Sequence, residues 1–414
     1  KPQAALVADK ASEDADAIFF DANNDGHPDL YVVSGGYHNY LPADPLLQDR
    51  LYMNDGKGNF SKAADALPVM QVSKSCARAA DINGDGYADL FIGGRNIPGR
   101  YPEIPNSYLL INDGKGHFTY KTAALAPQLQ QVGMVTDAAW TDLNNDKQPE
   151  LILVGEWMPI TVFSNVQGQW QNKTADYFDK KYSGWWNTLL LADLNGDGRQ
   201  DLVAGNTGTN TQCRATDAEP ADLYFKDFDN NGAVDPILCF YIQHKSYPYI
   251  SRDELLDQMS NMRTRFTDYK SYANAAVTDV FTAEDLKDAG HLQANYLATA
   301  YFEAGADKKF HEGKLPLQAQ FAPVYSITAI DYNKDGQQDL LLCGNENRAR
   351  MRFGKADANY GILLRNNGKG QFEYINQQQS GFQLKGDVRN VISLDNRLLF
   401  GINQGELKAY VLNP

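Results

Sequence analysis

Oxygen-bearing side chains recur in this 414-residue chain in a fixed phrase, at positions one, three, five and nine, with an apolar run directly after. The copies are Asp21/Asn23/Asp25/Asp29, Asp81/Asn83/Asp85/Asp89, Asp142/Asn144/Asp146/Glu150, Asp193/Asn195/Asp197/Asp201, Asp227/Asp229/Asn231/Asp235 and Asp331/Asn333/Asp335/Asp339. Calcium takes six to eight oxygens at about 2.3 to 2.6 Å, and alternate positions of a tight loop turn such oxygens toward one point. Position seven adds a backbone carbonyl, from His27, Tyr87, Arg199, Ala233 and Gln337. The expected cofactor is calcium, in up to six ions.

Position six calls for a left-handed backbone that glycine adopts freely. Glycine stands there in every copy but the third, which has Lys147 and closes on Glu150 rather than aspartate. The loop at 142–150 is therefore the weakest of the six candidate sites. The helix–loop–helix calcium motif shares the first nine positions but requires a bidentate glutamate at the twelfth. Here the twelfth residues are Val32, Ile92, Leu153, Ala204, Leu238 and Leu342, none of which binds a metal. Metal-free Asp/Asn/Gly turns are the other reading of the phrase.

What must position these loops is a set of short buried strands such as Leu30-Tyr31-Val32-Val33 and Leu340-Leu341-Leu342. A second phrase recurs at Asn54-Asp55-Gly56, Asn112-Asp113-Gly114 and Asn366-Asn367-Gly368, the mark of a hairpin. Each unit then reads strand, acidic loop, strand, variable connection, strand, glycine hairpin, strand. Loop starts are separated by 60, 61, 51, 34 and 104 residues. The pattern predicts an all-β fold, a seven-bladed β-propeller of four-stranded antiparallel blades, as one domain over residues 1–414.

The short gap places the fourth and fifth loops in one blade, because Leu223-Tyr224-Phe225 resembles Leu51-Tyr52-Met53. The long gap then holds a helical insertion at about 251–292, with capping boxes at Ser251/Glu254 and Thr282/Asp285. Leu255, Met259 and Met262 fall on one helical face there. A degenerate blade follows from Tyr296 to Leu315, and a last unit without an acidic loop runs from Val388 to Val411. Ala4-Ala5-Leu6-Val7 is expected to supply the fourth strand of that last unit and remove its exposed edge.

The formal charge is −14, and 18 of the 52 acids, three in each of six copies, sit in the loops. Bound divalent ions would nearly offset the deficit, and an acidic chain is a poor partner for nucleic acid. Cys76, Cys213, Cys239 and Cys343 show no disulfide or zinc spacing. No apolar stretch is long enough to span a membrane, and no signal peptide stands in the numbered chain. A chain that starts at Lys1 reads as a processed product, and calcium sites of ordinary affinity suit a calcium-rich exterior. The expected location is exported: cell surface, periplasmic or extracellular.

These phrases resemble the FG-GAP and VCBS-type repeat proteins, whose calcium-loop blades build integrin-α-like propellers. Gly155-Glu156-Trp157-Met158-Pro159, Gly184-Trp185-Trp186-Asn187 and Lys226-Asp227-Phe228-Asp229 are similar to those of a large exported bacterial subgroup. The resemblance implies propellers joined to other extracellular modules. Lys147, the missing loops and the helical insertion depart from it.

In a four-stranded blade the first and third connections emerge at one end, and the longer second connections at the other. The acidic loops then look structural, while the other end gathers Arg95, Arg100, Tyr101, Glu156, Trp157, Trp185, Trp186, Asn187, Asn206, Asn210, Asn345, Glu346, Arg348 and Arg352. Aromatic planes beside arginine, asparagine and glutamate can stack on a sugar or anchor a protein. The primary reading is a non-enzymatic binding or adhesion module whose partner is a glycan or extracellular protein. The alternative is a glycan-active enzyme, a polysaccharide lyase or glycoside hydrolase, with Glu156 and Glu346 as acid and base beside Arg95 and Arg348.

Overall fold

A computed structural model describes residues 3–349 and 354–412, leaving Arg352 outside the described residues. The fold is all-β, with helices of at most seven residues among those described. None is long and apolar enough to cross a membrane. Contacts gather the chain into two compact units, one holding the first and second sheets with a nested sheet, the other the fourth, fifth and sixth sheets.

The first sheet orders Glu13–Phe20, Asp29–Gly35, Arg50–Asn54 and Phe60–Lys62, and the second Ser73–Ala80, Asp89–Asn96, Tyr108–Asn112 and Phe118–Tyr120. In the third, Glu150–Pro159 is flanked by Met134–Thr141 and Thr161–Val166, and an extra strand, Ser183–Trp185, pairs with its far half. The fourth orders Thr188–Ala192, Asp201–Gly205, Ala300–Ala304 and Phe310–Glu312, and the fifth Val324–Ile330, Asp339–Gly344, Ile362–Asn366 and Phe372–Ile375. The sixth has three strands, Val388–Leu394, Arg397–Ile402 and Lys408–Val411.

Strand pairing sets the loops. Phe20 lies opposite Asp29, Ala80 opposite Asp89, Ala192 opposite Asp201 and Ile330 opposite Asp339, so each phrase spans the gap of one antiparallel hairpin. The strand after the loop is buried on both faces, as Leu90, Phe91 and Ile92 are. Within the first unit, Tyr31, Val33 and Leu51 of the first sheet pack on Leu90, Ile92 and Leu110 of the second. Within the second unit, Leu194 and Val203 pack on Leu340 and Leu342, and Leu341 and Leu363 of the fifth sheet pack on Leu398 and Phe400 of the sixth. Apolar burial of this kind contributes about 25 cal/mol per Å², which makes the sheet faces the main source of stability.

Three sequence expectations are corrected. The fourth and fifth acidic loops do not share a sheet: the fifth joins Ala221–Lys226 to Asp235–Ile242 in a nested sheet with Lys245–Pro248 and Gly290–Ala294. The strands read as a degenerate blade complete the fourth sheet, where Leu202 pairs with Phe302. Ala4–Ala8 is a helix rather than a strand, and Ala5 and Leu6 cover Leu30, Val32 and Tyr52 of the first sheet. The two capping boxes form as expected, at Ser251/Glu254 and Thr282/Asp285. Leu255 and Met259 are fully buried against Ile237 and Cys239 of the nested sheet, with Met262 partly covered.

Candidate calcium loops and the opposite end of the sheets

Position one organises each loop by accepting backbone N–H groups. Asp21 takes Asp25 N at 3.1 Å and Gly26 N at 2.8 Å, Asp193 takes Asp197 N at 3.1 Å and Gly198 N at 2.8 Å, and Asp331 takes Asp335 N at 3.1 Å and Gly336 N at 2.9 Å. Position six is left-handed throughout, with φ of 83° at Gly26 and 69° at Lys147, so the lysine carries the strain that glycine avoids. Position four is left-handed too, at Asn24, Gly84, Asn145, Gly196, Asn230 and Lys334. That second requirement was legible in the mostly Asn/Gly choice but was not read.

Position five shapes the turn. Asp25, Asp85, Asp146, Asp197, Asn231 and Asp335 are all exposed, and each spends an oxygen on the N–H of position seven. Asn231 Oδ1 accepts Ala233 N at 2.8 Å, and as an amide it has no second oxygen to offer. Asp335 accepts Gln337 N at 2.8 Å with one oxygen and Asn333 Nδ2 at 2.8 Å with the other. The physical reason is the turn itself, whose left-handed sixth residue points the seventh N–H back at the fifth side chain. Asn231 and Asp335 thus also shape the turn of their loops, as position five does in the other four copies.

Position nine ties the loop to the rest of its sheet. Asp29 accepts from Ala22 N at 2.9 Å and Asn54 N at 2.8 Å, Asp89 from Ile82 N at 3.3 Å and Asn112 N at 2.8 Å, and Asp339 from Tyr332 N at 3.2 Å and Asn366 N at 2.8 Å. The asparagine that opens each glycine hairpin thus meets the acidic loop, and both connections share one end of the sheet. The same asparagines staple neighbouring sheets: Asn112 Nδ2 donates to Ala22 O at 2.9 Å and Asn366 Nδ2 to Leu194 O at 2.6 Å. Burial pushes the Asp89 carboxyl up to about 6, and it raises Asp29, Asp201, Asp235 and Asp339 in the same direction. A buried carboxylate that resists ionisation is stabilised by a nearby cation.

The fifth loop fits calcium most closely. One oxygen from each of Asp227, Asp229 and Asp235 lies within 4.8 Å of the others, and Asp229 Oδ1 is buried with no hydrogen-bond partner among the described residues. An orphaned buried carboxylate oxygen is costly unless a ligand meets it. The third loop differs. Asn144 Nδ2 donates to Glu150 Oε1 at 2.6 Å, whereas Asn23, Asn83, Asn195 and Asn333 donate to the aspartate at position five. Glu150 also accepts Leu143 N at 2.8 Å and lies beside the Tyr177 side chain. Protein groups thus satisfy the carboxylate that a cation would otherwise meet.

At the other end of the sheets, Trp157, Trp186, Asn206 and Asn345 are buried. Trp186 Nε1 donates to Tyr182 O at 3.0 Å, Asn206 Oδ1 accepts Thr207 N at 2.8 Å, and Asn345 Nδ2 donates to Asn359 O at 2.7 Å. These three polar groups satisfy the backbone. Asn187 is half-buried, Arg95 likewise, Arg348 and Arg100 are exposed, and Arg100 is paired with Glu103. Asn210 is exposed and donates to Phe321 O at 3.0 Å, while Tyr101 N lies 3.4 Å from the Tyr37 hydroxyl.

Glu156 stands on the third sheet and Glu346 beyond the second strand of the fifth. Glu346 is held by Arg389 at 3.0 Å, and the guanidinium lies 3.8 Å from the Tyr325 ring centroid. Neither Tyr325 nor Arg389 was singled out in the sequence, since each lies in an ordinary strand. Trp157 and Trp185 meet edge to face at 5.0 Å. Trp157 sits at a bulge with φ of 60°, and Trp185 Nε1 is buried without a partner.

A family model for the FG-GAP-like repeat matches residues 16–92 and 142–204. No curated protein sequence matches the chain. Among solved structures, Saccharomyces cerevisiae Sqt1 is similar at 10% identity and a TM-score of 0.40, over 94% of this chain and 72% of that one. The V. cholerae biofilm matrix protein Bap1 is similar at 12% identity and a TM-score of 0.30, over 95% of this chain and 85% of that one. Neither likeness is close enough to bear on function. The first four acidic loops thus lie in segments that match the FG-GAP-like repeat.

Proposed function

We propose that the chain is an exported, calcium-stabilised β-propeller that binds a glycan or extracellular protein at the end of its sheets opposite the acidic loops. The loops hold the ions: Asp and Asn side chains at positions one, three, five and nine, with the position-seven carbonyl. Bound there, calcium would neutralise carboxylates that burial disfavours and clamp each hairpin. An ion bound only by the folded chain at a hundred times its Kd adds about 2.7 kcal/mol.

The observation that carries the binding reading is the pair Trp157 and Trp185. A tryptophan held at positive φ costs about 1 to 3 kcal/mol, a strain that concentrates at functional sites. Beside it, the unpartnered Trp185 N–H offers a donor for a ligand oxygen, with the half-buried Glu156 next in the strand. Trp157 is itself buried and braces the half-buried Trp185, whose ring suits stacking on a sugar ring or anchoring a protein loop.

A glycan array followed by titration of the strongest binder, with Trp185→Phe against the unmodified protein, tests this. The substitution keeps an aromatic ring and deletes the donor. Binding weaker by about tenfold, or ~1.4 kcal/mol, with unchanged melting supports the site. If the array is blank, the same comparison is made with a protein partner captured from the cell surface. Undiminished affinity in the variant would remove Trp185 from the site.

A further inference from the structure

A cavity of about 400 Å³ opens at the acidic-loop end, between the third loop, the fourth loop and the turn at 304–310. Its size falls within the range of small-ligand pockets. It is lined by Asp142, Asn145, Asp197, Arg199, Lys308 and Lys309, among others, so three cations stand among two carboxylates.

In other sheets the position-seven side chain sits elsewhere. There the position-seven side chain lies on the glycine of its own hairpin: a Cβ on Gly56 would come within 2.4 Å of His27, one on Gly114 within 2.6 Å of Tyr87, and one on Gly368 within 2.4 Å of Gln337. The fourth sheet departs from this arrangement. Its turn lacks the Asn-Asp-Gly phrase, and Arg199 at position seven reaches across to Ala304 O at 2.7 Å and to Asp197. Lys308 extends to Asn144 O at 3.3 Å, and Lys309 pairs with the largely exposed Asp179.

The carboxylates are already committed. Asp142 accepts Asp146 N at 3.1 Å and Lys147 N at 2.8 Å, and Asp197 is a calcium ligand in the proposed reading. Lys308 meets a neutral carbonyl, and an exposed pair such as Lys309 with Asp179 is worth ~1 kcal/mol or less. We infer that this cavity is a second binding site, for a ligand that presents a carboxylate to Arg199, Lys308 and Lys309. Charge-assisted N–H to carboxylate bonds supply the recognition. The inference rests on calcium occupying the fourth loop.

Calorimetric titration of the calcium-loaded protein with a galacturonic acid trisaccharide, and separately with a triglutamate peptide, tests it. Binding of either probe is expected, and the probe that binds identifies an acidic sugar or an acidic peptide as the source of the carboxylate. Lys308→Ala with Lys309→Ala should weaken it about tenfold, while Lys57→Ala with Lys115→Ala, on the hairpins of the first two sheets, leaves it unchanged. Absence of binding by both probes, or binding that the 308/309 variant does not weaken, overturns the inference. Melting of the unmodified protein with and without chelator reads the calcium premise separately, so the two can fail independently.

Discussion

The third and fifth acidic loops carry the same phrase and sit in the same kind of hairpin, yet they are wired oppositely. In the fifth, three carboxylates converge and Asp229 Oδ1 has no protein partner among the described residues. In the third, the Asn144 side chain closes on Glu150, Tyr177 lies beside them, and Lys147 replaces the glycine. The difference teaches that the phrase specifies a loop shape, whereas residues outside it decide whether the loop needs an ion. Tyr177, in a short helix after the third sheet, is far from the phrase in sequence.

The largest effect expected from this contrast is a reversal of sign. In calcium, Asp229→Ala should destabilise the protein by about 2.7 kcal/mol at an ion concentration a hundred times Kd, through loss of one site. With chelator, the same change should be neutral or stabilising, since it relieves crowded, partly buried carboxylates. Denaturant melts of the variant in both conditions read this, and equal destabilisation in both would break the contrast.

Next in size is the backbone at position six. Lys147→Gly should relieve a left-handed residue and stabilise by about 1 kcal/mol, while Gly232→Lys, at φ of 89°, should cost about 1 to 2 kcal/mol. Urea midpoints of the pair would show opposite shifts; shifts of one sign would mean that contacts rather than φ dominate.

Tyr177→Phe should cost about 1 kcal/mol, the usual worth of one hydrogen bond, by the same amount with and without calcium. A calcium-dependent cost would indicate that the third loop exchanges its protein partners for an ion.

The smallest effect concerns pH. Burial raises the carboxyls of both Glu150 and Asp235. For a group whose folded pKa is raised, stability is present below the unfolded pKa and lost as pH rises through the folded one. Metal-free protein should therefore gain stability on acidification from neutrality toward the unfolded carboxyl range. Calcium at the fifth loop reverses that slope for Asp235 and leaves Glu150 unaffected. Glu150→Gln should accordingly flatten the acid-side gain in both conditions, and Asp235→Asn should flatten it only in chelator.

Much of the scaffold was legible. The loops, their following strands, the Asn-Asp-Gly hairpins and both capping boxes follow from local chemistry, because each depends on neighbours within a dozen residues. The pairing of Asp201–Gly205 with Ala300–Ala304 does not, since the whole nested sheet intervenes. That is why Leu223-Tyr224-Phe225 was mistaken for the missing strand: it has the right composition, and composition carries no long-range register. The first helix failed for a related reason, as four small apolar residues suit a strand or a helix equally until Tyr52 and Leu30 offer them a surface. Within the loops, spacing marked Asn231 and Asp335 as ligands, while the turn hydrogen bonds that their oxygens also accept depend on backbone conformation that spacing does not give. At the opposite end of the sheets, residue types suggested a rich ligand face, but burial of Trp186, Asn206 and Asn345 is set by packing that no local motif reveals.

The central claim is that these loops hold structural calcium and that wiring beyond the phrase sets which of them do. Its most direct test is a count of tightly bound calcium per chain by native mass spectrometry, for the unmodified protein, Asp229→Ala and Asp142→Ala. The unmodified protein should retain calcium, Asp229→Ala should lose one ion, and Asp142→Ala should lose none. No retained calcium, or loss of an ion from the third-loop variant but not from the fifth, would contradict the account.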